Sequence, residues 1–293
     1  MNVMQVARIA RVNHWFKNLF VVAGWLLALH FHPHWVDWSH VLAVLGGTLL
    51  ACCISSVNYI INEVTDAEFD RRHPIKAHRM VASGLIQPRR LVPLTLLLLV
   101  AGLAPAFLFF NRCYLVLLTS LFLAGIVYNV PPIRTKNIPI LDIIIESVNF
   151  PIRISIGWFI HDWSLNPPPL LVLLLFWSLG AMLMTGKRLA EVRQLGDLGK
   201  YYRPTFRIYT QAILTVLIIT YAICFLGLFH MFSRHLVPAL TWFLPAVTIF
   251  TAWFLVISCQ VDSIMVEPEK IFRRRLFFLY SLALVLTMGT ALF

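Results

Sequence analysis

Asn62, Glu63, Asp66 and Asp70 stand at i, i+1, i+4 and i+8 in the stretch Asn62-Glu63-Val64-Thr65-Asp66-Ala67-Glu68-Phe69-Asp70. On a helix, Asn62, Asp66 and Asp70 share one face and Glu63 sits beside them. With Glu68, four of the thirteen carboxylates fall within eight residues. Oxygen donors grouped in this way suit a hard cation such as Mg²⁺, which carboxylates hold while phosphate oxygens complete its shell. The basic run that follows, Arg71, Arg72, Lys76 and Arg79, suits phosphate oxygens that a metal leaves uncovered. The spacing predicts a diphosphate-handling site with Asn62, Glu63, Asp66 and Asp70 as metal ligands.

Two further segments carry charge. In Tyr128-Asn129-Val130-Pro131-Pro132-Ile133-Arg134-Thr135-Lys136 the prolines stop the preceding helix and stiffen the turn, aiming Arg134 and Lys136 at whatever phosphate the first segment holds. Asp142, Glu146 and Arg153 then enter an apolar stretch. Ionisable groups inside a membrane helix are costly and usually pair or line a cavity. Glu146, Asn149 and Arg153 are expected to form a polar stripe, for structural pairing or for acceptor contact. The third segment, Lys187-Arg188-Leu189-Ala190-Glu191 with Asp197 beyond it, is basic first and acidic second. Arg203 and Arg207 extend it or anchor the chain at the interface.

The elements that position these groups are apolar. Of 293 residues 59% are hydrophobic and 13% charged, and the mean hydropathy is +0.79, which excludes an ordinary soluble domain. A spanning helix needs about 20 mostly apolar residues. Nine segments qualify, at residues 14–31, 41–61, 91–110, 114–130, 139–160, 169–185, 208–229, 236–258 and 275–292. They predict an all-α integral membrane protein in one domain, 1–293. Arg8 and Arg11 precede the first apolar run, but no small-residue cleavage site follows, so this run reads as a retained helix rather than a secretory signal.

With the N-terminus placed in the cytoplasm, 21 of the 24 Lys and Arg fall on the cytoplasmic side. They lie in the N-terminal segment and in loops 62–90, 131–138, 186–207 and 259–275. Arg112 and Arg234 fall opposite, and Arg153 within a span. This positive-inside asymmetry accounts for the net charge of +11 through topology and anionic headgroups, so no nucleic-acid partner is needed. It predicts a cytoplasmic active face in an inner or plasma membrane, with the C-terminus on the opposite side. Cys52, Cys53, Cys113, Cys224 and Cys259 lie in or beside apolar spans without metal-ligand spacing, and no disulfide is expected. His30, His32 and His34 beside Trp35 read as an interfacial anchor on the outer side.

The three charged segments, in this order, resemble the UbiA superfamily of membrane prenyltransferases. Asn62-Glu63-x-x-Asp66-x-x-x-Asp70 resembles its N-D-x-x-D-x-x-x-D signature, with Glu63 in place of an aspartate. Arg79-Met80-Val81-Ala82-Ser83-Gly84 resembles its R-P-[IL]-x-[SA]-G, with Met80 in place of a proline. Tyr128 to Lys136 resembles its Y-S-x-P-P-x-R-x-K. Within the superfamily, His73-Pro74-Ile75-Lys76, Lys187-Arg188-x-x-Glu191 and the entry Arg11-x-x-x-Trp15-x-Lys17-Asn18 are similar to the decaprenyl-phosphate phosphoribosyltransferase branch. Many members carry a second D-x-x-x-D where this chain has Lys187 to Glu191.

The resemblance implies a helical bundle around a central chamber open to the cytoplasm, with Mg²⁺ at the first segment. It implies that a polyprenyl phosphate attacks C1 of phosphoribosyl pyrophosphate and pyrophosphate leaves. Asp66, Asp70 and Glu63 would carry the chemistry together with Lys136. Lys17, Asn18, Arg71, His73, Lys76, Arg79, Tyr128, Arg134, Asp142, Lys187, Arg188 and Glu191 would contact substrate. The alternative on the same fold is transfer of a prenyl group from a prenyl diphosphate to an aromatic or other small acceptor. A transporter or lipid-binding protein is disfavoured, because it would bury functional charge near the midplane and on both sides. Oligomeric state is left open, a homo-oligomer included.

Overall fold

The computed structural model describes the chain apart from residues 34–35, 75, 162–163, 200–202 and 261–273. His34 and Trp35 of the histidine run, Ile75, and the loop cations Lys200, Lys270 and Arg273 therefore lie outside the described residues. Among the described residues the chain is helical and has no strand. It forms two compact units, residues 1–138 with 152–167 and residues 139–151 with 168–293.

The first unit opens with α1 (Val3–Ile9), capped by reciprocal hydrogen bonds between Asn2 and Gln5. A 3-10 helix (Val12–Asn18) and α2 (Leu19–Phe31) follow. The expected first span is thus split, because Arg11 turns left-handed and His14, Lys17 and Asn18 interrupt the apolar run. Next come α3 (Trp38–Asp70), α4 (Val92–Phe109) and α5 (Arg112–Asn129).

At 33 residues, α3 is about 50 Å long, against a hydrocarbon layer of about 30 Å. Its surplus turns carry the acids beyond the apolar layer. Asp37 caps its other end, accepting from the His40 backbone N–H at 3.1 Å and meeting His40 Nδ1 at 2.8 Å. Hydrogen bonds to Ser39 first, and to His40 second, hold the Asp37 carboxyl well below the usual range. At this end His32 lies edge-on to Trp158, and the His40 and His161 rings are 4.5 Å apart.

The core of this unit gathers Leu50, Ala51 and Ile54 of α3, Ala106 of α4, and Tyr114, Leu118 and Leu121 of α5. Polar tethers fix the register within it. Tyr114 Oη donates to the Gly47 carbonyl at 2.8 Å, and the Asn58 amide to the Leu121 carbonyl at 2.9 Å. Backbone meets backbone where α2 crosses the last turns of α6 (Leu141–Trp158). A Cβ on Gly157 would lie 1.8 Å from the Val21 carbonyl oxygen, and one on Gly24 would lie 2.0 Å from that of Ile154. Small residues permit such approach between membrane helices. Gly157→Ala is accordingly expected to cost at least the 1–3 kcal/mol typical of overpacking, roughly, read as a lowered midpoint of thermal unfolding in detergent. An unchanged midpoint would count against this packing.

The second unit contains the first turns of α6, α7 (Leu170–Leu195), α8 (Gln211–His235), α9 (Leu244–Ser258) and α10 (Arg275–Thr290). Hydroxyls within its helices bond back to the preceding turn, as Thr185 does to Ala181 and Thr251 to Val247, which satisfies them without a partner from another helix. The five cysteines are free thiols.

Each of the nine expected segments carries a helix. Among the described residues six helical stretches are long and apolar enough to cross a membrane: 38–70, 88–109, 112–129, 170–198, 211–235 and 238–258. Of the other three, α2 and α10 are short, at 13 and 16 residues, and α6 carries Asp142, Glu146 and Arg153. Large apolar side chains such as Leu97, Phe107 and Val216 stand exposed, as lipid-facing residues do.

Candidate active site

In the first unit Glu63, Asp66 and Asp70 of α3 are buried and each meets a cation from another segment, while Glu68 is exposed. Asp66 receives Lys136 Nζ at 2.6 Å and Arg134 Nη2 at 2.7 Å, both on Oδ1. Its Oδ2 accepts from the Asn62 amide at 3.2 Å, and that amide also donates to Asn129 Oδ1 at 2.5 Å. Lys136 Nζ reaches the same Asn129 oxygen at 2.9 Å. Asp66, Asn62, Asn129, Arg134 and Lys136 thus form one polar knot, which joins the end of α3 to the end of α5 and the loop after it.

The loop is shaped for this task. Pro131 and Pro132 end α5, the peptide between them is cis, and Arg134 takes the left-handed conformation at φ 33°. A non-glycine residue held there is strained, and surrounding contacts must over-determine it. Arg134 has those contacts. Its Nη1 donates to the Thr65 carbonyl at 3.2 Å, and its guanidinium lies 5.1 Å from the centre of the Phe69 ring.

One turn along α3, Asp70 Oδ2 binds Arg79 Nη1 at 2.5 Å. Arg71 Nε donates to the Ala82 carbonyl at 3.2 Å, folding the 79–84 segment back over the helix end. His73 is buried and accepts the Lys76 backbone N–H on Nδ1 at 3.2 Å. Glu63, on the flank, takes the Val81 backbone N–H at 3.4 Å and faces Arg11 at 3.6 Å.

Glu63, Asp66 and Asp70 are expected to act as one ligand set. Among the described residues no three His, Cys, Asp or Glu side chains lie close enough together to hold a metal ion. The three acids point to different cations instead. The donor chemistry still fits Mg²⁺, which protein sites commonly hold through one or two carboxylates plus substrate phosphates. Asp66 and Asp70, both buried and one turn apart, are that kind of donor pair, with the Asn62 amide donating to Asp66.

Asn18 and Arg153 sit elsewhere. The Asn18 side chain accepts from Arg153 Nε at 2.8 Å and Ser55 Oγ at 3.1 Å, and donates to Cys52 Sγ at 3.2 Å. Asn18 was expected to touch substrate, but here it is fully buried against a guanidinium within the span. Lys17, next to it, is half-buried, and Tyr128 is buried on the last turn of α5.

The second unit holds its own charge cluster. Arg188 Nε binds Asp142 Oδ2 at 2.7 Å and Nη1 binds Glu191 Oε2 at 2.6 Å, with all three side chains buried. Arg188, expected to grip phosphate, pairs here with two acids. Tyr209 completes the cluster: its hydroxyl donates to Asp142 Oδ1 and accepts the Ile140 backbone N–H at 2.6 Å. Burial first, and the neighbouring Asp142 second, push the Tyr209 hydroxyl's pKa upward, so it stays a donor. Ile140, β-branched, is held at φ 71°. Lys187 is half-buried beside Arg188.

Sequence reasoning overlooked Asn129 and Tyr209. Asn129 carried a signal, being an amide at the end of an apolar span directly ahead of two prolines. Tyr209 carried none beyond its nearness to Arg203 and Arg207.

The chain's relatives fit this geometry. The UbiA prenyltransferase family model matches residues 18–282, across both units. A decaprenyl-phosphate phosphoribosyltransferase from Mycolicibacterium smegmatis is 29% identical over 97% of this chain and 91% of the relative. The protein of the same description from Mycobacterium tuberculosis is 28% identical over 98% and 93%. Among solved structures, a UbiA homolog from Archaeoglobus fulgidus bound to DMAPP and Mg²⁺ superimposes with a TM-score of 0.71 at 18% identity, over 96% of this chain and 99% of that one. The all-helical architecture, the acid-bearing α3 and the full-length family match together place this chain in the UbiA prenyltransferase family.

Proposed function

We infer that this membrane transferase moves a phosphoribosyl group from phosphoribosyl pyrophosphate to a polyprenyl phosphate. A lipid phosphate oxygen bonds to C1 of the ribose, the bond from C1 to the pyrophosphate oxygen breaks, and pyrophosphate leaves. The lipid phosphate is already anionic, so the reaction needs no strong general base. The carrying observation is Arg188. It pairs with both Asp142 and Glu191, which, with the Tyr209 hydroxyl on the other Asp142 oxygen, supports a structural use of those acids. The acids at the end of α3 then supply the metal site, which suits a substrate set with a single diphosphate. The names of the full-length relatives agree with this reading.

Asp66 and Asp70, with Asn62 and with Glu63 on the flank, would hold Mg²⁺. When bound, the ion supplies neutralisation of the charge that develops on the departing pyrophosphate. Arg134 and Lys136, now on Asp66, would turn to phosphate oxygens, and Lys76, Arg79 and Lys187 would add cations. The positive-inside pattern supports a cytoplasmic location for these groups and the N-terminus.

The test supplies purified protein with Mg²⁺ and two substrate pairs in parallel. Labelled phosphoribosyl pyrophosphate with polyprenyl phosphate is expected to give a labelled lipid. If only a prenyl diphosphate with an aromatic acid reacts, the assignment fails and prenyl transfer replaces it.

A further inference from the structure

Arg11 combines three features that the fold alone does not demand. Its backbone is left-handed, at φ 50° and ψ 52°, although it is not glycine. Its guanidinium is largely buried, 5.5 Å from the centre of the Tyr59 ring and 3.6 Å from Glu63. That separation is an ion pair too long for a hydrogen bond, and Nη2 is buried without any hydrogen-bond partner. A buried donor left unsatisfied is costly, and so is backbone strain of this kind. Two such costs at one residue point to a ligand that repays them.

The surroundings specify the ligand's charge. Arg79, held by Asp70, is a neighbouring cation. After burial, its repulsion is the largest influence pushing the Arg11 pKa down. Glu63 and Asp70 balance the two guanidiniums in the unliganded protein. Should those acids turn toward a divalent ion, two neighbouring guanidiniums would be left facing the same space. A guanidinium fork presents two parallel N–H donors to phosphate oxygens.

We propose that Arg11, with Arg79 beside it, binds a phosphomonoester group of a substrate, in a subsite separate from the Asp66, Arg134 and Lys136 knot. This rests on the proposed function for the ligand's identity. The group is either the 5-phosphate of the ribosyl donor or the phosphate of the lipid acceptor.

Binding, rather than turnover, tests the proposal. The detergent-solubilised full chain is titrated calorimetrically in Mg²⁺ buffer with ribose 5-phosphate and, separately, with farnesyl phosphate. Arg11→Gly is the informative variant, because glycine accepts the left-handed backbone without strain, and its thermal midpoint is expected within a few degrees of the parent. The parent is expected to bind one of the two ligands, and Arg11→Gly to bind that ligand at least tenfold more weakly. The ligand affected identifies the source of the phosphate. Arg11→Lys, which keeps the charge but loses the fork, is expected to recover only part of the affinity. It decides the matter if the glycine variant does not fold. Binding of neither ligand by the parent overturns the proposal, as does undiminished affinity in Arg11→Gly, or in Arg11→Lys where that variant decides. If Arg11-dependent phosphate binding is found but phosphoribosyl transfer is not, the subsite stands and the proposed reaction falls. If transfer proceeds in Arg11→Gly with unchanged KM for both substrates, the reverse holds.

Discussion

Asp66→Asn is expected to lower turnover on the order of 10³-fold, the scale on which removing one preorganised charge-stabilising group acts. The substitution also removes the anion between Arg134 and Lys136, which approach it at 2.7 and 2.6 Å. Breaking a buried pair by deleting one partner costs about 3–5 kcal/mol, so a fall in thermal midpoint should accompany the loss of activity. A second substitution separates the two effects. In Asp66→Asn with Lys136→Met, one stranded cation is gone, and the double variant should regain about 0.5–3 kcal/mol of stability through the coupling expected of contacting residues. Its activity should stay absent. Lipid product formed by Asp66→Asn within tenfold of the parent would remove Asp66 from the chemistry.

Arg188→Met should cause the largest loss of stability in the second unit. Asp142 and Glu191 are both fully buried and both hold Arg188, so its removal leaves two uncompensated carboxylates and again costs about 3–5 kcal/mol for each broken pair at most. Poor recovery of folded protein from membranes is the expected result. Replacing all three charges with neutral isosteres, Asp142→Asn, Arg188→Met and Glu191→Gln, should recover folded protein, because no buried charge then lacks a partner. If Arg188→Met instead folds normally and loses only substrate affinity, Arg188 is a phosphate ligand, as the sequence pattern suggested.

The comparison of pattern with structure turns on partners distant along the chain. That Asn62, Glu63, Asp66 and Asp70 share the end of one helix was legible, because a periodicity of 3.6 residues is a local property. The cations that hold them were legible as types but not as pairings. Arg11 precedes Glu63 by 52 residues, and Arg134 follows Asp66 by 68. Only the packing of α3 against the N-terminal segment and α5 brings them together.

The same reason explains Asn18. Its place beside Lys17 suggested substrate contact, whereas a buried Arg153 far along the chain claimed its amide oxygen. The split of the first span was visible in His14, Lys17 and Asn18. The left-handed turn at Arg11 that begins the 3-10 helix was not, because arginine does not announce a positive φ as glycine would.

The helix that bears Asp66 and Asp70 runs unbroken from Trp38, with no proline along it. Such a rod responds to a thicker or thinner bilayer chiefly by changing its tilt as a whole. Its carboxylate end therefore swings whenever the headgroup layer at its far end moves, and lipid composition becomes a lever on the alignment of the reacting groups.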